Sequence, residues 1–132
     1  MLQLTDDRAV AEHDGYAPLG VIHRREVALG ERTATVVDHL LGTGRVRIRI
    51  PWHLVGDEAP RGDGPSWIVP GERWSLRITA DRPLTALRGP PHPGPGWASP
   101  RYGVRRPAWA LVHEGEVELP LAIRTELAWE PR

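Results

Sequence analysis

The sequence predicts an all-β protein, a two-sheet antiparallel β-sandwich of about nine to eleven short strands with little or no helix. Three observations carry that reading. Gly and Pro number 14 each among 132 residues, about twice their usual share, which interrupts helices and supplies turns. Apolar and polar residues alternate at period two along most of the chain, the mark of half-buried strands. Turn residues recur at a spacing of about 10 to 12 residues, as in sandwiches and barrels.

The elements follow in order. Short alternating stretches predict strands over residues 9–13, 21–29 and 33–40. Residues 45–54 are the clearest case: Val46, Ile48, Ile50, Trp52 and Leu54 share one face, and Arg45, Arg47, Arg49 and His53 share the other. Residues 67–69 and 84–88 read as brief strands. Trp74, Leu76, Ile78 and Ala80 alternate cleanly, as do Leu119, Leu121, Ile123, Leu127 and Trp129, with a further strand over 109–114. Hairpin turns are expected at Gly30-Glu31, at Gly42-Thr43-Gly44 and at Glu114-Gly115. Two longer connections, 56–66 and 89–100, interrupt the meander, and the prolines of the second should hold it extended over the surface. Trp52, Trp74 and Trp129 continue apolar faces and are assigned to the core. Trp67 and Trp97 flank Pro/Gly loops, where an indole either pins the loop or offers a platform to a sugar ring. One core and no internal repeat imply one domain over 1–132.

Composition excludes several functions. Seventeen basic residues, all Arg, balance 17 acidic ones, so no global field draws the chain to nucleic acid or to an anionic membrane. Electrostatic function must be local. The absence of Lys, Asn and Phe fits a GC-rich bacterial genome. It also leaves only planar guanidinium forks, which suit carboxylates and sulfates. Without Cys there is no thiolate nucleophile and no Cys-based zinc site. The N-terminal residues lack the pattern of a signal peptide. No Gly-x-Ser-x-Gly elbow or glycine-rich phosphate loop occurs.

Five segments in order carry a resemblance. They are His13-Asp14-Gly15-Tyr16 with Leu19-Gly20, His23-Arg24-Arg25-Glu26-Val27, Val36-Val37-Asp38 with Trp52-His53-Leu54, Trp97-Ala98-Ser99-Pro100-Arg101-Tyr102-Gly103-Val104, and a closing Leu119-Pro120-Leu121 strand with Thr125 and Trp129. From about Arg8 onward the chain resembles the C-terminal region of the heparinase II/III family. The resemblance implies a C-terminal β-sandwich that closes over an N-terminal α/α toroid in a polysaccharide lyase. Such enzymes cleave at C4 of a uronic acid by β-elimination. The chemistry needs the uronate carboxylate neutralised, a Tyr or His base for the C5 proton, and an acid for the leaving oxygen.

On that resemblance Tyr16 and His23 are the catalytic candidates, and Arg25, Arg101, Tyr102 and Trp97 the substrate-binding ones. The expected partners are an acidic polysaccharide, heparin/heparan sulfate-like or alginate-like, and the toroid of the parent chain, with no nucleic acid and no membrane. No cofactor is expected in this chain. A divalent metal, zinc or calcium, belongs to the full-length parent, with His23 as part of an incomplete site. The parent would be exported or periplasmic. The sequence contains no toroid and no His-Asn-Thr segment of the kind that opens the family's sandwich, so the chain is expected to be a C-terminal fragment without turnover of its own. The alternative is a stand-alone carbohydrate-binding or adhesion module, which would present Trp67 or Trp97 flat to solvent.

Each candidate also has a plain structural account. His23 would pack against a neighbouring strand with one or two hydrogen bonds, and Tyr16 would anchor an edge strand. Arg24 and Arg25, being adjacent on a strand, cannot line one groove together. Arg101, Arg105 and Arg106 would serve solubility. His13 and His53 rank below these, His53 lying on a polar face. Asp38-His39 suggests a metal pair or part of a triad.

Overall fold

A computed structural model describes residues 2–91 and 94–132; His92 and Pro93 of the Pro/Gly connection lie outside the described residues. Eleven strands form in chain order: β1 (Gln3–Leu4), β2 (Arg8–His13), β3 (Ile22–Leu29), β4 (Thr33–His53), β5 (Arg61–Asp63), β6 (Ser66–Pro70), β7 (Trp74–Ala80), β8 (Thr85–Arg88), β9 (Trp97–Arg101), β10 (Val104–Pro107) and β11 (Trp109–Pro131). Among the described residues the one helical element is a 3-10 turn, Ala17–Leu19. The protein is thus the all-β antiparallel sandwich that the alternation predicts. Two strands are not short. β4 has 21 residues and β11 has 23.

These long strands build the sandwich. Nine strands hydrogen-bond in the order β1-β2-β3-β4-β11-β7-β6-β5, with β8 also on β11, while β9 and β10 pair by themselves. On the side of β11 away from β4, β8 takes residues 109–112 and β7 takes residues 125–131. Buried His113 and Thr125 face each other at 3.3 Å between Nε2 and Oγ1, although twelve residues of straight strand would hold them about 40 Å apart. The strand therefore doubles over, and β4 doubles with it. The corner falls at Gly42 and Gly44, both at positive φ, and across the ladder at the register shift between Leu119 and Leu121.

Gly42-Thr43-Gly44 and Glu114-Gly115 are consequently not the hairpin turns that the local sequence suggests. Locally, a glycine corner within one strand and a glycine turn between two look alike. The two halves of each long strand join different layers. The larger layer holds β1, β2, β3, the first half of β4, the second half of β11, β7, β6 and β5. The smaller holds only the second half of β4, the first half of β11 and β8.

Two apolar clusters fill the space between the layers. Val69, Ile78 and Ala80 of the larger layer pack on Leu111 of the smaller, with Leu84, Trp52 and Leu127 around them. Val21, Leu40 and Leu121 meet Val117, Leu119, Val46 and Ile48. Trp74 departs from its assignment to the core: it opens β7 opposite Pro131, at the end of its strand, and is 46% exposed. Connection 89–100 also differs from its extended reading, because Trp97–Arg101 pairs back on Val104–Pro107 as β9 and β10. The Gly96 carbonyl secures this hairpin by accepting from the backbone amides of Gly89 and Ala108 at 2.7 and 2.9 Å. On the outer face of the smaller layer, Arg45 and Arg49 form ion pairs with Glu116 and Glu114. Hydrogen bonds from Arg49 hold the Glu114 carboxyl below its ordinary 4.5.

His113 is the polar group of the core with a pH consequence. A carbonyl oxygen can only accept, so His113 Nδ1–H donates to Pro83 O at 3.2 Å, and Nε2 accepts from the Thr125 hydroxyl. Burial lowers its pKa from 6.5, against smaller raising contributions led by the Pro83 bond. The unfolded chain takes up a proton near 6.5 while the folded chain resists it. Stability is therefore at its full value above that pH and declines as pH falls towards the folded pKa. Thermal denaturation should show a falling Tm on acidification from about pH 6.5 to 5, and His113→Gln should flatten that slope. An unchanged slope in the variant would remove His113 as its source.

Candidate functional site

The larger layer overhangs the smaller one. Among the described residues the second half of β4 pairs in the smaller layer with β11 alone, which leaves its other edge free. Among the described residues no strand pairs along that edge to cover the inner faces of β2 and β3. The result is a cleft of about 670 Å³, lined by His13, Tyr16, Leu19, His23, Arg25 and residues 46–51 along the free edge of β4.

Strand parity decides which side chains enter it. On β4, Ala34, Val36, Asp38 and Leu40 all point inward and are buried. On β3 the residue opposite Asp38 is Arg25, and on β2 the residue opposite His23 is His13. Tyr16, the residue before the 3-10 turn, stands beside His13 with ring centroids 5.3 Å apart, and His13 meets His23 edge-on at the same distance. Gly20 closes the turn in the left-handed conformation, its amide donating to Ala17 O.

Asp38 organises the floor. Its carboxylate is 0% exposed and accepts from Arg25 Nε at 2.7 Å, from the Arg25 terminal nitrogen at 3.2 Å, and from His23 Nε2 at 2.8 Å. Since a carboxylate only accepts, His23 carries its proton on Nε2, and in the neutral ring Nδ1 is left as the acceptor. The imidazole is 20% exposed at the side chain, so it is neither sealed in the core nor loose on the surface. The Arg25 guanidinium lies 5.2 Å from the Trp52 ring centroid, which with Asp38 fixes its plane. A cleft with one oriented imidazole, one phenol and one held guanidinium has the means to move a proton beside an anion.

Tyr16, His23 and Arg25 of the sequence candidates come together here. Arg24 faces the other way and pairs with Glu12. His39 also points away from Asp38, towards Glu26 at 3.7 Å, so the adjacent Asp38 and His39 make neither a metal pair nor a triad. Asp38 is the residue that sequence reasoning undervalued, although its place in the buried run 34, 36, 38, 40 is visible in the alternation. Trp97, Arg101 and Tyr102 sit on the β9–β10 hairpin, which joins the end of β8 to the start of β11, and none of them lines the cleft. Trp67 is half-buried with Nε1 donating to Gly64 O, and Trp97 is half-buried with Arg105 4.7 Å above its ring. Neither indole is a bare flat platform.

Asp38 is not available as a metal ligand beside His23. Arg25 and His23 occupy both oxygens of Asp38, and the guanidinium already supplies a fixed positive charge there. Among the described residues no group of three or more His, Cys, Asp or Glu side chains converges on a point. Among them, too, no helix is long and apolar enough to cross a membrane.

Comparison with known proteins adds to this geometry. The family model described as heparinase II/III-like, C-terminal, matches residues 3–128. Among solved structures, the fold is similar to a heparinase III with TM-score 0.70 and 17% identity, over 95% of this chain and 19% of that one. It is similar to the heparan sulfate lyase HepC from Pedobacter heparinus with TM-score 0.69 and 17% identity, over 98% of this chain and 21% of that one. At such identity the likeness is one of fold, and the chain spans about a fifth of the length of these structures. No curated protein matches.

Proposed function

The chain belongs to the heparinase II/III-like C-terminal family, and from that membership we propose that it forms the C-terminal β-sandwich of a polysaccharide lyase acting by β-elimination at uronic acids. In this reading the sandwich packs on an N-terminal toroid of the same parent and walls one side of the substrate cleft. The single observation that carries the assignment of the wall is the His23–Asp38–Arg25 constellation, of which His23 and Arg25 line the cleft. Leu19 and Tyr16 at its rim are 74% and 52% exposed. Apolar side chains left so open at the rim of a cleft suit a surface covered by another domain.

The roles follow from the geometry. Arg25, whose side chain keeps 39% exposure beside Asp38, would present its guanidinium to a uronate carboxylate, and balancing that charge would acidify the C5 proton. His23, with Nδ1 as acceptor, or the Tyr16 phenol would exchange the proton. The toroid would supply the rest of the site, so this chain alone has no turnover. Any metal of the parent would draw its ligands from outside the described residues.

The test has two readouts. Incubation of the chain alone with heparin, heparan sulfate or alginate should give no rise in unsaturated-uronate absorbance; a robust rise would overturn the need for the toroid. In NMR titrations with oligosaccharides of the same polymers, the imidazole signals of His13 and His23 should move. If neither moves, the cleft is not a wall of a uronate site.

A further inference from the structure

The charges of this neutral chain are sorted along it. Between Asp81 and Glu114 there is no acidic residue, yet the interval holds five of the 17 Arg. Among the described residues seven of the 17 guanidinium groups have a carboxylate partner, those of Arg8, Arg24, Arg25, Arg45, Arg47, Arg49 and Arg124. Among the described residues Arg101, Arg105 and Arg106 have no carboxylate within 4.0 Å, and all three are exposed on the β9–β10 hairpin. A hairpin that served only solubility would gain from mixed signs, as the outer face of β4 and β11 does.

The hairpin is also shaped and held. At the register shift Arg105 stands alone opposite Ser99 and Pro100, so the extra residue lies on β9, and the Arg105 guanidinium lies 4.7 Å from the Trp97 ring centroid. That stacking fixes the plane of the fork before any anion arrives, so less rotamer freedom remains to be lost on binding. Trp97 Nε1 donates to Pro91 O at 3.2 Å, which ties the ring to the preceding loop. A shallow groove of about 380 Å³ runs along Trp97, Ser99, Gly103 and Arg105. At the tip Tyr102 is fully exposed, with Gly103 in the left-handed conformation making the turn. An exposed phenol beside unpaired guanidinium forks offers an aromatic face for a sugar ring and bidentate donors for its carboxylate or sulfate.

We propose that the β9–β10 hairpin is a second binding site for acidic polysaccharide, taking a uronate- or sulfate-bearing sugar with Arg101, Arg105 and Tyr102. The preference for an anion comes from the hairpin itself; that the anion is a sugar chain rests on the reading given above. The hairpin groove shares no lining residue with the His23 cleft, so the site would hold a stretch of polymer outside that cleft and raise the local concentration of chain there.

The experiment is titration of the chain with a heparin hexasaccharide, followed by calorimetry and by the ring signals of Tyr102, Trp97, His13 and His23. The expected result is movement of the Tyr102 and Trp97 signals, and at least tenfold weaker binding of R101A/Y102A. These two side chains are exposed, so folding is preserved. His23→Ala should leave the hairpin shifts in place. Unmoved hairpin signals overturn the proposal whatever the cleft does, whereas movement at the hairpin with still imidazoles overturns only the assignment of the cleft. Equal affinity for a single-stranded oligonucleotide of matching charge would overturn the sugar assignment.

Discussion

Replacing Asp38 by Ala should cost about 3 kcal/mol and lower Tm by on the order of 10 °C. The carboxylate is fully buried and holds two partners, so its loss leaves a guanidinium and an imidazole facing a cavity without an acceptor. Breaking a fully buried ion pair costs about 3 to 5 kcal/mol, and the lower end applies because the Arg25 side chain keeps 39% exposure. D38N should be milder but still destabilising, since one side of an amide presents hydrogens to donors that need an acceptor. In R25M/D38L, which removes charge from both sides, much of the loss should return.

His23→Ala should cost far less, because Asp38 keeps its two bonds from Arg25 and the vacated space opens to the cleft. A large loss in that variant would instead make His23 a packing residue. Nitrogen shifts of the His23 ring should change tautomer in D38A, a readout that packing alone would not move. If D38A melts like the parent protein, the carboxylate is not the organiser of the cleft floor.

How far the sequence reached depends on the distance over which each feature is decided. The alternations in 45–54 and 74–80 are local, and the structure keeps their faces, with Val46, Ile48 and Trp52 packed inward and Arg45, Arg47 and Arg49 outward. Trp74 shows the limit of that logic: parity places a residue on a face, but the end of a strand decides whether the face is covered. Tyr16, His23 and Arg25 could be proposed from neighbouring motifs. Asp38 needed the register of β3 on β4, which puts it opposite Arg25, thirteen residues away.

The separation of Trp97, Arg101 and Tyr102 from the cleft depended on something less local again. Their hairpin joins the end of β8 to the start of β11, and the pairing of those two strands across it is not legible from local motifs. The doubling of β4 and β11 was the least legible feature. No residue pattern distinguishes a strand that turns a corner from two strands joined by a turn when glycine stands at the bend in either case.

That corner supplies the second large effect, and it ties the fold to the cleft. Gly42 has φ +145 and a Cβ there would run into the Gly20 carbonyl oxygen, whereas Gly44 has φ +92 with open space around it. Both positions disfavour a side chain by about 1 to 3 kcal/mol. Gly42 adds an overlap with backbone, worth about another 1 to 3 kcal/mol. Gly42→Ala should therefore lower stability by about 3 kcal/mol or more and Tm by roughly 10 °C, with Gly44→Ala clearly milder; thermal melts of the two variants make the comparison. Gly20 is the residue that closes the turn behind Tyr16. Relief of the overlap must push that turn outward, so Gly42→Ala, and not Gly44→Ala, should also weaken the NMR contact between the Tyr16 and His13 rings. Equal losses in the two variants, with the ring contact intact, would mean that the corner of β4 does not bear on the turn that carries Tyr16.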